Sequence, residues 1–277
     1  SRGNNGSPGE GGAKGKTGPD KSDGSRGRGG QPASGSGTDG IVTFNFFEEE
    51  CLELAPTSTY ALIIWVSNYE KPEPKWEEQA FSLVKIIESN YKFASVTSLK
   101  DPSYEELQNA LTGFSNKGGE SNVLIYLSGH GVKLSQSTYG FLTSDGNKMS
   151  FDAIRAIVEK SDLKTLLFIL DACYSGKILD DGGISRDIPS QSTIKKPELV
   201  CGITDRTFIT AGYEEQQVNT QMTESLIETL NQNESTALTA SQLFLNLITT
   251  SGIQFKDRPS FGKLNIFSEG DFIFHHK

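Results

Sequence analysis

Two short apolar runs constrain this chain more than any other feature of its 277 residues. Leu166-Leu167-Phe168-Ile169-Leu170 ends abruptly in Asp171-Ala172-Cys173-Tyr174-Ser175-Gly176, and Val123-Leu124-Ile125-Tyr126-Leu127 ends in Ser128-Gly129-His130-Gly131. An unbroken apolar run has no wet face, so as a strand it must be covered on both sides. A parallel sheet between two layers of helices supplies that cover. In such open sheets, ligands and chemistry gather beyond the carboxyl ends of the strands, where Cys173 and His130 stand. Two adjacent parallel strands would bring thiol and imidazole to one sheet edge, a nucleophile beside a base.

The flanking sequence alternates strand and helix. Tyr60–Val66 predicts a first strand. After Pro72 and Pro74, the residues Trp76, Ala80, Leu83, Val84, Ile87 and Tyr91 recur at helical spacing. Phe93–Leu99 reads as a second strand. Asp101-Pro102-Ser103 opens a helix running to about Gly113, with Glu105 and Glu106 favourably placed in its first turn. Tyr139–Thr143 reads as a short strand or hairpin arm, and Ser150 caps a helix carrying Ile154, Ile157 and Val158. A fifth strand is expected over Arg206–Gly212, helices over about Thr223–Asn231 and Thr239–Ser251, and a closing strand at Gly270–Phe274. The expected fold class is α/β: a mostly parallel sheet of about six strands with helices on both faces, over residues 57–277. Residues 180–200 are rich in Gly, Ser and Pro without periodicity, and a loop of that length beside a candidate nucleophile reads as functional or disordered.

Residues 1–40 differ in kind, holding 14 of the 29 glycines. Glycine recurs at 3, 6, 9, 12, 15 and 18 and again at 24, 27 and 30, a Gly-X-Y pattern. Two readings stay open: a flexible, disordered Gly-rich linker, or a collagen-like trimerising stalk, for which Pro8, Pro19 and Pro32 are few imino acids. Residues 41–56, with Glu48-Glu49-Glu50, read as a lead-in to the domain. The tract carries a net charge of +2 and the remainder −11, which argues against a nucleic-acid face on the folded part. No apolar run reaches the roughly 18 residues of a membrane helix.

Cys51, Cys173 and Cys201 form an odd, sparse set without CxxC spacing. That is neither a disulfide framework nor a zinc site and suits a reducing, cytoplasmic compartment. The chain starts at Ser1 without methionine, so a lost signal peptide and an extracellular setting stay open. Buried cysteines are commonly just small hydrophobes, and Cys51 and Cys201 read as structural. Cys173 is set apart by the strand before it and the turn formers after it. His130 is the candidate base, since the other histidines, His275 and His276, lie in the tail. Asp171 projects to the side of Cys173 if the strand continues. An acid buried there is costly alone, so it is either paired structurally or waiting for a cationic group.

Ser128-Gly129-His130-Gly131 together with Asp171-Ala172-Cys173-Tyr174-Ser175-Gly176 resembles the caspase-like cysteine peptidases, more closely the metacaspases and their bacterial relatives than animal caspases. The latter carry Gln-Ala-Cys with the histidine about 50 residues upstream; here Asp stands for Gln and the separation is 43. The resemblance spans roughly Tyr60 to Phe274. It implies a caspase–haemoglobinase fold, Cys173 as nucleophile, His130 as base and later acid, and the N–H groups of Gly131 and Cys173 as oxyanion hole. It also implies that Asp171 selects Arg or Lys before the scissile bond, so that partners are protein or peptide substrates with basic residues. Asp145 and Asp180 resemble family ligands of an activating calcium ion, against the plainer reading of exposed loop carboxylates; no cofactor is needed for the chemistry itself. Arg186 and Lys195-Lys196 suit self-cleavage within the 180–200 loop. The competing expectations are a catalytically silent caspase-like interaction scaffold and a domain displayed on a trimeric stalk.

Overall fold

The apolar runs become strands covered on both faces, and the alternation of their side chains shows how. The computed structural model describes residues 58–180, 189–201, 203–212, 221–249, 259–264 and 269–277. The chain divides into units 1–43 and 44–277, and every described residue belongs to the second. The expectations for the Gly-rich tract, the lead-in segment and Arg186 lie outside the described residues.

Strands β1 (Thr59–Trp65), β2 (Ser95–Lys100), β3 (Asn122–Ser128), β7 (Thr165–Asp171), β8 (Asp205–Thr210) and β10 (Ser260–Lys263) form a six-stranded sheet in the order β10-β8-β7-β3-β1-β2. All neighbours are parallel except β10 against β8. Ala61, Ile63, Trp65, Leu124, Tyr126, Leu167, Ile169 and Ile209 face one side. There they meet α1 (Pro74–Asn90), α5 (Gln221–Gln232) and α6 (Ala240–Thr249) through Ala80, Leu83, Ile87, Leu226 and Phe244. Leu62, Ile64, Ile125, Leu127, Leu166, Phe168, Leu170 and Phe208 face the other side. They pack on α2 (Tyr104–Ser115) and α3 (Phe151–Glu159) through Leu107, Leu111, Ile154 and Val158. Each leucine, isoleucine, valine or phenylalanine side chain taken fully out of water contributes about 1.5–3 kcal/mol. The six-stranded, mostly parallel α/β reading therefore holds.

Helix α2 begins where Ser103 and Glu106 cap each other reciprocally, typically worth ~1 kcal/mol. Just before it, Asp101 has φ 49°, a left-handed conformation that Asp tolerates better than most residues. Its Oδ1 accepts the backbone N–H groups of Ser67 at 2.6 Å and Asn68 at 2.9 Å, pinning the loop that leaves β1.

One expectation needs correction, and another is borne out with added detail. The strand that closes the sheet is Ser260–Lys263, whereas the C-terminal β11 (Ile273–His275) pairs antiparallel with β9 (Ala237–Thr239) in a separate ribbon. The apolar character of the ending comes from Phe272 and Phe274, both buried under α1 and α6 rather than placed in the sheet. The Tyr139 arm belongs to a three-stranded antiparallel unit, β4 (Gly131–Lys133), β5 (Tyr139–Leu142) and β6 (Lys148–Ser150), which grows directly out of the His130 loop. Among the described residues no helix is long and apolar enough to cross a membrane.

Candidate active site

Strands β3 and β7 are direct neighbours, and their last register pair is Ser128 with Asp171. His130 and Cys173 each stand two residues beyond that rung. The Gly129 N–H donates to the Asp171 carbonyl at 3.2 Å, holding the two strand ends together past the ladder. Gly131 then rests on the cysteine turn: a Cβ there would lie 1.7 Å from the Cys173 carbonyl oxygen and 2.9 Å from its nitrogen. Gly129 is equally confined, since a Cβ would lie 2.6 Å from the Tyr69 hydroxyl and 2.7 Å from the Phe141 ring. Both glycines flanking His130 are required by close approach.

The partly exposed Cys173 is a free cysteine. Tyr174 follows it at φ 60°, an uncommon conformation for a bulky residue and one that recurs at functional sites. A 3₁₀ turn over Ser175–Leu179 begins at once. It is tied to the end of β8, because Ser175 Oγ accepts from the Ala211 N–H at 2.9 Å and the Gly176 N–H donates to Gly212 O at 2.7 Å. The turn is thereby fixed at its start.

The His130 backbone is held by two hydrogen bonds, from its N–H to the Tyr69 hydroxyl at 2.9 Å and from the Leu142 N–H to its carbonyl at 2.9 Å. Its ring packs against Tyr69, with centroids 4.4 Å apart, and edge-on against Trp76 at 4.9 Å. Burial lowers its pKa from the ordinary value, with Glu73 pulling weakly the other way. A depressed imidazole is neutral at physiological pH and able to accept a thiol proton.

Asp171 has a protein partner in Thr223. Its Oδ2 accepts the Thr223 hydroxyl, which is shared with the Tyr126 hydroxyl at 2.6 Å, and the Thr223 N–H also contributes. The carboxylate thus caps the N-terminal turn of α5. Burial pushes its pKa up to about 6 despite those hydrogen bonds. Thr223, Tyr69 and Trp76 are site residues that sequence reasoning passed over. A signal existed for Tyr69, an aromatic just past the carboxyl end of a buried strand.

The two carboxylates of the calcium expectation lie in different settings. Asp145 lies in a turn where its oxygens accept from Thr143 Oγ1 at 2.6 Å, Asn147 Nδ2 at 2.9 Å, Asn147 N at 3.2 Å and Tyr104 N at 3.2 Å. Those donors hold its carboxyl far below the usual range. Asp180 lines a cavity of about 110 Å³ with Asp152 and Lys177, and the Lys177 ammonium is 3.3 Å from its Oδ2. Asp145 is not part of that lining. Among the described residues no group of three or more His, Cys, Asp or Glu is arranged to hold a metal ion. Each of the two carboxylates is engaged by a protein group, Asp145 by the hydroxyl and amide donors of its turn and Asp180 by Lys177.

Cys201 is disulfide-bonded, which fits its structural reading and departs from the reducing setting that the sparse cysteines suggested. Lys195 pairs with Glu269 at 2.9 Å, and Lys196 stands at the N-cap of the short helix α4 (Pro197–Val200).

Comparison with known proteins adds three findings. The family model described as the caspase domain, of peptidase family C14, matches residues 58–261. Among solved structures, the Drosophila initiator caspase Dronc is similar at a TM-score of 0.49 and 9% identity, over 78% of this chain and 83% of that one. None of the curated proteins matches.

Proposed function

The chain belongs to the caspase-domain cysteine peptidases, and on that footing we propose that it is a metacaspase-type endopeptidase cutting after Arg or Lys through a Cys173–His130 dyad. The observation that carries this is the shared rung of β3 and β7, from which both residues emerge at equal distance with their loops in backbone contact.

The Cys173 thiol gives its proton to the neutral His130 imidazole and its sulfur attacks the scissile carbonyl carbon. Backbone N–H groups of Gly131 and Cys173 receive the oxyanion, a contribution usually worth about 3 kcal/mol in the transition state. The register supports Gly131 in that role. The Leu142 N–H donates to the His130 carbonyl, with the Tyr69 hydroxyl bridging the return bond, so the adjoining Gly131–Phe141 pair is non-bonded and the Gly131 N–H points away from β5. Collapse of the intermediate breaks the C–N bond, and the departing amine takes the proton from His130. Water then gives a proton to His130 and attacks the thioester, releasing the carboxylic acid and restoring the thiol.

Asp171 supports basic specificity as a buried carboxylate under the cysteine turn, where a guanidinium would be a favourable partner. The same preference makes the 180–200 segment a substrate in cis. The test is hydrolysis of fluorogenic peptides with Arg, Lys or Asp before the bond, by wild type, Cys173→Ala and Asp171→Ala. Cleavage after Arg and Lys, lost in both variants, is the expected result. Equal activity of Cys173→Ala rejects the mechanism, and retained arginyl cleavage in Asp171→Ala rejects the specificity assignment.

A further inference from the structure

A histidine base works only if its ring plane is fixed, so that one nitrogen meets the nucleophile; in triads a third, hydrogen-bonding residue does this. No described residue hydrogen-bonds the His130 imidazole; its two hydrogen bonds are made by the backbone. What meets the ring is aromatic. Tyr69 packs on it at 4.4 Å with an interplanar angle of 48°, and Trp76 stands edge-on at 4.9 Å and 78°. The two rings also meet each other at 5.9 Å and 85°, so the three form one cluster.

Tyr69 and Trp76 are each held in place. The Tyr69 hydroxyl accepts from the His130 N–H and donates to the Leu142 carbonyl at 3.2 Å, bridging the two ends of the loop that carries the histidine. The loop holding Tyr69 is tied by the Asp101 carboxylate to Ser67 and Asn68, and by the Glu73 N–H to Ser67 O at 3.0 Å. Trp76, in the first turn of α1, is 4% exposed. An edge-to-face contact has a preferred geometry, so two rings at different angles restrict rotation of the imidazole in a way aliphatic packing does not.

We propose that Tyr69 and Trp76 are positioning residues for the peptidase reaction, two aromatic rings that fix the plane of the His130 imidazole in place of a hydrogen-bonding third triad member. The inference rests on the dyad reading above and names what serves it. The same rings exclude water from the imidazole, which agrees with its lowered pKa. Removing a ring therefore has a signed consequence: the imidazole pKa rises toward its ordinary 6.5, and the acid limb of activity moves to higher pH.

The experiment compares wild type, Trp76→Leu, Trp76→Phe, Tyr69→Phe and Tyr69→Leu by kcat and KM across pH, by NMR titration of the His130 ring, and by thermal melting. Trp76→Leu is expected to lose about tenfold or more in kcat with little change in KM, with an upward shift of both the acid limb and the ring titration. Trp76→Phe, which restores a ring edge, is expected to recover most of both. Tyr69→Phe keeps its ring but releases the His130 backbone, and is expected to lower kcat several-fold without altering the melt. A folded Trp76→Leu with wild-type kcat and titration overturns the proposal. If that variant does not melt cooperatively, Tyr69→Leu, which removes the other ring, overturns it instead by leaving kcat and the ring titration unchanged. Because the ring titration is read on the protein alone, an inactive wild type would reject the peptidase reading while the titration still tests whether Trp76 and Tyr69 govern the imidazole.

Discussion

Gly131 and Cys173 touch through their backbones, with no room for even a methyl group between them: a Cβ on Gly131 would lie 1.7 Å from the Cys173 carbonyl oxygen. Backbone cannot yield as a flexible side chain does, so Gly131→Ala must push the histidine loop off the cysteine turn. The expected outcome is a loss of about 100-fold in kcat/KM, with thermal stability less affected because β3 and β7 keep their core. Near-wild-type peptide hydrolysis by Gly131→Ala would show that this contact does not set the geometry of the site.

Asp171 gives a pH prediction. Its folded pKa is raised from 3.8 to about 6, chiefly by burial, and a guanidinium pairs with the ionised form only. The ratio of kcat/KM for arginyl over citrullyl peptides should therefore fall as pH drops through about 6; taking the ratio cancels the titration of His130. Thr223→Val removes a hydrogen bond that favours the ionised form and should move the midpoint to higher pH. The stability sign follows from the same shift. Between pH 3.8 and about 6 the folded state holds a proton that the unfolded chain has released, so this residue's contribution falls as pH rises. The melting temperature of Asp171→Asn relative to wild type should rise across that window. A ratio constant from pH 7.5 to 5 would contradict the pairing.

Calcium should make no difference. Asp145 is saturated by protein donors and Asp180 already has a cation in Lys177. Activity in excess chelator should equal activity in millimolar calcium; a requirement for the ion would mean that this region rearranges around it.

Self-cleavage, if the specificity is basic, should fall after Arg186. Lys196 is followed by Pro197, whose ring fixes φ and removes the N–H of the scissile amide. Lys195 is engaged by Glu269, though that exposed pair contributes little, and a buried carboxylate prefers guanidinium to ammonium. Incubation should yield a band absent from Cys173→Ala and from Arg186→Ala but present in Lys195→Ala. Identical patterns for wild type and Cys173→Ala would dispose of self-processing.

The strands carrying His130 and Cys173 were legible because burial on both faces leaves an unmistakable mark, five apolar residues in a row. The closing strand left none. Ser260–Lys263 pairs on one side only and holds a glycine and a lysine, whereas Gly270–Phe274 looks strand-like because two phenylalanines enter the core. Helical periodicity correctly buried Trp76, but nothing in a 3.6-residue repeat tells that its ring edge faces an imidazole 54 positions later. The pairing of Asp171 with Thr223 is similarly silent in sequence, joining residues 52 apart across a crossover.

The most direct measurement is the rate of Cys173 alkylation by iodoacetamide as a function of pH, in wild type and His130→Ala, with the labelled site read by mass spectrometry. A neighbouring imidazole should make the thiol reactive near neutral pH, and its removal should return the profile to that of an ordinary cysteine near pH 8.5. Superimposable profiles would mean that the imidazole and the sulfur do not act on each other, and the dyad would have to be abandoned.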